Sequence, residues 1–75
     1  MNSNLQLDAK GLSCPMPIVK TKKAMDTLVS GEILEVHVTD KGSIADIPAW
    51  AKAGGHKILD QSEDAGVLTF FIQKA

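Results

Sequence analysis

The sequence predicts a two-layer α/β sandwich of order β-α-β-α-β-β, in which a four-stranded mixed sheet carries two helices on one face. Three observations predict it. Stretches 4–9, 33–39, 56–61 and 67–72 alternate or concentrate apolar residues as strands do. Stretches 15–29 and 44–53 space their apolar residues by threes and fours, and each falls between two of those strands. Only a short turn holding Gly66 separates the last two strands, which suits a hairpin. Right-handed crossovers would set both helices on the same side. The far face of the sheet would then be solvated or covered by a partner.

The first strand, 4–9, directs Leu5, Leu7 and Ala9 to one face, and Lys10-Gly11 breaks it. The segment Gly11-Leu12-Ser13-Cys14-Pro15-Met16-Pro17-Ile18-Val19 then leads into the first helix. Proline is tolerated in a helix's first turn, where N–H groups lack intrahelical partners, so the spacing puts Cys14 at or just before the N-cap and Pro15 at the first helical position. Ile18, Thr21, Ala24, Met25, Leu28 and Val29 form the inner side of this helix, and Ser30-Gly31 stops it. Met16, Val19, Lys20 and Lys23 share another side, mixing apolar groups with positive charge.

The second strand, 33–39, turns Leu34, Val36 and Val38 inward and Glu35 and His37 outward. Asp40-Lys41-Gly42-Ser43 is a turn. The second helix, 44–53, has two possible starts because Pro48 is a poor interior residue. One is a cap at Asp46 with Pro48 in the first turn; the other is a cap at Ser43 with a kink at Pro48. Either puts Ile44, Ile47, Trp50 and Ala51 inward, and Gly54-Gly55 ends the helix. The third strand, 56–61, offers Ile58 and Leu59; Glu63-Asp64-Ala65-Gly66 turns the chain into the fourth.

Seventy-five residues, 44% of them hydrophobic, make one domain, 1–75, with a small core. The net charge of −1 gives no overall attraction to nucleic acid or anionic membrane. All eight basic residues are lysines, so the bidentate fork that arginine brings to phosphate or guanine is missing. The start of the sequence lacks a charged region followed by an apolar run, and no apolar stretch reaches spanning length, so neither a signal peptide nor membrane insertion is expected. A single cysteine cannot form an internal disulfide, which suits a reducing compartment such as the cytoplasm.

Cys14 is the candidate reactive group. The positive end of a helix dipole favours its thiolate, the form that reacts. Pro15 and Pro17 remove two N–H groups that might have bonded the sulfur and stiffen the backbone around it; the N–H groups of Met16 and Ile18 remain as donors. Redox cycling within one chain needs a resolving cysteine, which is missing. A Cys–His hydrolase needs a base, yet His37 and His56 fall on strands or their ends. One cysteine and two distant histidines lack the paired spacing of a zinc site, and no cofactor motif is present. What remains is a thiol that accepts and surrenders a group between proteins, with Met16, Val19, Lys20 and Lys23 as a docking patch for acidic partners.

These residues also carry a resemblance. The run from Leu7 to Pro17, followed by Lys22-Lys23-Ala24, Asp46-Ile47-Pro48 and Gly55-His56, resembles the TusA (SirA-like) family of small sulfur-carrier proteins. The resemblance covers almost the whole chain, and its Cys-Pro-x-Pro signature follows a strand and opens a helix. It implies the same β-α-β-α-β-β sandwich and a persulfide on Cys14. It implies a cysteine desulfurase or rhodanese-type donor, and an acceptor in tRNA thiolation, molybdenum-cofactor synthesis, or sulfur oxidation or uptake. Lys41-Gly42-Ser43 replaces the family's frequent Asp-Pro, and Trp50 stands where many members have Phe followed by Cys. These features resemble the YeeD-like and rhodanese-associated branches more than the tRNA-thiolation members.

The leading expectation is therefore a sulfurtransferase-type carrier rather than a stand-alone enzyme, relaying sulfur as a Cys14 persulfide. Two other readings stand beside it. A small RNA-binding or regulatory module, similar in architecture to the C-terminal domain of bacterial initiation factor three, would bind RNA without Cys14. A thiol redox sensor would form mixed disulfides through Cys14.

Overall fold

A computed structural model describes residues 3–13 and 15–75. Strand β2 (Ile33–Val38) lies inside the sheet, paired in parallel with β1 (Leu5–Ala9) and antiparallel with β4 (Val67–Gln73). Strand β3 (Lys57–Asp64) pairs antiparallel with the other side of β4, so the order across the sheet is β1-β2-β4-β3. Helix α1 (Met16–Asp26) joins β1 to β2 and packs on both, while α2 (Ser43–Ala53) joins β2 to β3 and packs against α1 and β3. This is the expected two-layer arrangement.

The period of two in β2 decides which face is inside. Leu34, Val36 and Val38 are fully buried against Leu68, Phe70 and Ile72 of β4, and Met25, Ile47 and Ala51 close the core from the helix layer. Glu35 and His37 point to the other face, as expected. No helix of the described residues is long and apolar enough to cross a membrane.

Helix α1 is shorter than its periodicity suggests. Pro15 is its N-cap rather than its first helical residue, and Pro17 sits in the first turn. Thr27, not Ser30-Gly31, closes it: the Thr27 N–H donates to the Ala24 carbonyl at 3.1 Å and its hydroxyl to the same oxygen at 2.7 Å. Val29 therefore falls beyond the helix and is 66% exposed instead of lying on the inner side. Two carbonyls at and just past this end are met from far along the chain. The Lys74 ammonium donates to the Met25 carbonyl at 3.0 Å and the Leu28 carbonyl at 2.7 Å, where the negative end of the helix dipole welcomes a cation.

Helix α2 begins at Ser43 with Gly42 as N-cap, so neither Asp46 nor Ser43 is the cap, and Pro48 lies inside the helix. Pro48 donates no bond back to Ile44. Starting at Ser43 sets the buried stripe as Ser43, Ile47 and Ala51, four residues apart. Ile44, one position round from that stripe, is 44% exposed and is not an inner residue. Trp50 is half-buried, with its ring centroid 5.1 Å from that of His56, a boundary-packing role.

Strand β3 runs further than expected and starts after His56. Its pairing slips between Ile58 and Asp60, leaving Leu59 as an extra residue in a bulge. The turn to β4 is only Ala65-Gly66, with φ of +52° and +82°, the pair of positive angles a two-residue hairpin needs.

The Lys74 cap gives a direct expectation. Lys74→Met keeps much of the aliphatic stem and removes the donor to both carbonyls, so the variant should lose about 1–2 kcal/mol of stability. Urea unfolding followed by circular dichroism measures it; an unchanged midpoint would show that water serves those carbonyls equally well.

Candidate functional site: the first turn of helix α1

The parallel pairing of β1 and β2 brings their two outgoing loops to one end of the sheet, because Ala9 lies opposite Val38. The loops are then tied directly: the Gly11 N–H donates to the Thr39 hydroxyl at 2.9 Å. Gly11 makes this turn at φ +81°, a region that disfavours residues with a Cβ. The Leu12 N–H bonds the Ala9 carbonyl, and the Met16 N–H bonds the Ser13 carbonyl at 2.9 Å. The segment is thus anchored on both sides of the signature cysteine. Cys14 itself lies outside the described residues.

Pro15 is exposed and Pro17 buried. The Pro15 carbonyl accepts the Val19 N–H at 3.1 Å, and the Pro17 carbonyl accepts the buried Thr21 hydroxyl at 2.7 Å. The two prolines hold different places: one caps the helix at its surface, the other seats the first turn in the core. The Met16 N–H, expected to be a spare donor for a thiolate, is already committed to Ser13. What α1 offers at this end is its dipole rather than a free Met16 N–H, and its first turn carries no acidic residue to offset that field.

Met16, Val19, Lys20 and Lys23 come together on the outer side of α1, as their spacing suggests. Met16 is 41% and Val19 39% exposed, and both lysines are exposed. The apolar pair lies in the first turn, at the dipole's positive end, and the ammonium groups follow along the helix, Lys23 in its last turn. Such a face is suited to a protein surface with an apolar centre and carboxylates to one side.

The β2–α2 loop forms the neighbouring wall. Asp40 accepts the Ser43 N–H through its backbone carbonyl, while its Oδ2 is buried and has no hydrogen-bond partner among the described residues. A Cβ on Gly42 would come within 3.2 Å of that oxygen, so glycine here keeps room for the carboxylate. The reading from sequence took this loop as a turn only. Its place beside the signature follows from the parallel β1–β2 pairing, a signal available once the β-α-β order is accepted.

The histidines are elsewhere. His56 accepts the Ala75 N–H on Nδ1 at 3.0 Å, beside Trp50. His37 lies on the sheet face away from the helices, its Nε2 bonded to Glu35 Oε2 and its Nδ1 3.4 Å from the Thr69 hydroxyl. Glu35 also accepts from the Ser3 hydroxyl at 3.0 Å. The hydrogen bond from His37 holds the Glu35 carboxyl below its ordinary value of 4.5; partial burial opposes this, and Ser3 adds to it.

Because the folded state favours the Glu35 carboxylate, its contribution to stability is full above that ordinary value and is lost as pH falls below it. Glu35→Gln should therefore flatten the acid limb of the stability–pH curve. Parallel acid limbs for the two proteins, from urea titrations, would contradict the pairing.

Comparison with known proteins accords with this geometry. The family model described as Sulfurtransferase TusA matches residues 5–74. The Bacillus subtilis protein YrkI is 61% identical over 74 residues, covering 99% of each chain. YrkF of the same organism is 55% identical over 74 residues, and there the match spans 99% of this chain but 40% of the relative. The sulfur carrier protein TusA of Allochromatium vinosum is 41% identical over 70 residues, covering 93% of this chain and 92% of that one. The crystal structure of a SirA-like protein from Desulfitobacterium hafniense superposes with a TM-score of 0.81 at 28% identity, covering 92% and 95% of the two chains.

Proposed function

The chain belongs to the TusA sulfurtransferase family, and on that premise we propose that it is a sulfur carrier that relays sulfur between proteins as a persulfide on Cys14. Residues 1–75 act in this reading as one carrier unit. The observation that carries it is the family match over residues 5–74, with the Cys-Pro-x-Pro signature leading into the first turn of α1.

The exchange balances without an outside oxidant. The Cys14 thiolate attacks the outer sulfur of a donor persulfide; the donor's S–S bond breaks, its thiolate leaves, and a Cys14 persulfide forms. An acceptor thiolate repeats the step on the outer sulfur of Cys14 and frees it again. The leaving thiolate and the attacking one exchange roles, so no disulfide accumulates and no resolving cysteine is needed. Pro15 and Pro17 stiffen the approach to the sulfur. Met16, Val19, Lys20 and Lys23 guide an acidic partner onto the end of α1.

The donor is a cysteine desulfurase or a rhodanese-type protein, the acceptor a second thiol protein, and the compartment the cytoplasm. The single cysteine and the exposed lysine–apolar face of α1 support this reading.

Incubation with a rhodanese-type donor and thiosulfate should add one sulfur atom to the intact protein and none to Cys14→Ser, as read by mass spectrometry. Equal addition to the serine variant would defeat the reading. Reversing Lys20 and Lys23 to Glu should slow transfer from the donor on the order of tenfold at low salt while leaving alkylation of Cys14 by iodoacetamide unchanged. A fall in both rates would point to a damaged thiol site and not to lost docking.

A further inference from the structure

The two layers of the sandwich differ in charge balance. The helix layer carries Lys20, Lys22, Lys23 and Lys52 against Asp26 and Asp46. Among the described residues no helix or strand covers the other face of the sheet, and its outward positions follow from the register. One row runs Gln6, Glu35, Phe71, Asp60 across the four strands, and the next runs Asp8, His37, Thr69, Ser62. Asp64 lies opposite Val67 at one end, and Lys57 opposite Gln73 at the other. Asp8 and Asp60 are exposed, while Phe71 and Val67 are half-buried on the face away from both helices. A chain of net charge −1 has thus gathered carboxylates around an aromatic side chain on one face.

We propose that this open sheet face is a second docking surface, and that it takes an arginine-bearing protein surface. Phe71 is flanked on neighbouring strands by Asp60 and by Glu35, whose oxygens already accept from Ser3, Gln6 and His37 and keep lone pairs for a further donor. Strands lie about 4.8 Å apart, so an arginine side chain laid over Phe71 has a carboxylate within reach on each side. A guanidinium suits the site better than an ammonium, because its plane stacks on a ring while its edges bond carboxylates. The same charge repels phosphate and turns nucleic acid away from this face. Docking here leaves the first turn of α1 open, because the two surfaces lie on opposite sides of the sheet, so the carrier can be held by one protein while its reactive end meets another.

The test uses a synthetic peptide with two arginines among leucines, titrated into nitrogen-15-labelled protein and followed by amide shifts. Changes should centre on Glu35, Asp60 and Phe71. The lysine version of the peptide should bind several-fold more weakly. Asp8→Asn with Asp60→Asn keeps the side-chain acceptors that cap Lys10 and Gln61, and should weaken binding about tenfold. The charge-matched pair Asp26→Asn with Glu63→Asn, off this face, should bind within twofold of the parent. Equal losses in the two pairs, or shifts centred on α1, would overturn the proposal. Self-association in sedimentation that disappears only in the Asp8/Asp60 variant would overturn it too, by assigning the face to a second copy.

Discussion

The parallel pairing of β1 with β2, from Leu5 opposite Leu34 to Ala9 opposite Val38, is the constraint on which the rest of the structure depends. Parallel neighbours cannot be joined by a tight turn, so the chain must cross over, and α1 is that crossover. The crossover returns α1 across the sheet and puts its first turn at the strands' carboxyl end, beside the loop that leaves β2. Leu34, Val36 and Val38 hold the pairing in one register, since a slip of one residue would turn all three to solvent. The Gly11–Thr39 bond then fixes the two loops to each other. The segment carrying the signature is short, yet its position is set by a buried strand it does not belong to.

The parts of this arrangement legible in the sequence are those decided locally. Alternation in β2 gave its faces because a strand buried on one side has only two choices. The prolines marked the start of α1 to within one position, because a missing N–H is tolerated at few places in a helix. That Met16, Val19, Lys20 and Lys23 share one side of α1 followed from spacing alone. The parts that were not legible depend on distant chain. The end of α1 is held by Lys74, 46 and 49 residues from the carbonyls it bonds, and no window around Asp26 contains that information. Ile44 looked like a core residue because it lies three residues before Ile47, a helical spacing, yet the buried stripe runs Ser43, Ile47, Ala51, and one position of phase moves a side chain by about 100°. The bulge at Leu59 is likewise a property of pairing with β4, not of β3 by itself.

A domain of this size buries little, so each layer has to serve more than one purpose. Thr21, Ser43 and Pro17 are buried without being large apolar residues, and each sits where a helix meets the sheet. Thr21 returns its hydroxyl to Pro17, so the first turn is bonded even where proline leaves gaps in the ladder. Rigidity at this end therefore comes from packing and a few side-chain bonds, and not from a long helix with strong caps. That suits the proposed reading, in which one atom is presented steadily while the outer surface stays free for exchange.

The charge layout carries the argument one step further. A protein that relays a group must bind its donor and release it before the acceptor arrives, so docking at the reactive end has to be weak and reversible. On the proposed reading the exposed lysines of α1 serve that purpose, because their attraction acts mainly on the rate of encounter and is screened by salt. Glu35 and His37 differ from them in kind. They are partly buried, bonded to each other and to Ser3 and Thr69, and so are held in place before any partner comes. Preorganised groups lose less freedom on binding than mobile ones, which favours longer contact. The two faces thus suit contacts of different duration: a brief one at the first turn of α1, and a lasting one across the open sheet. Separating them by the thickness of the sheet lets the first be broken without disturbing the second.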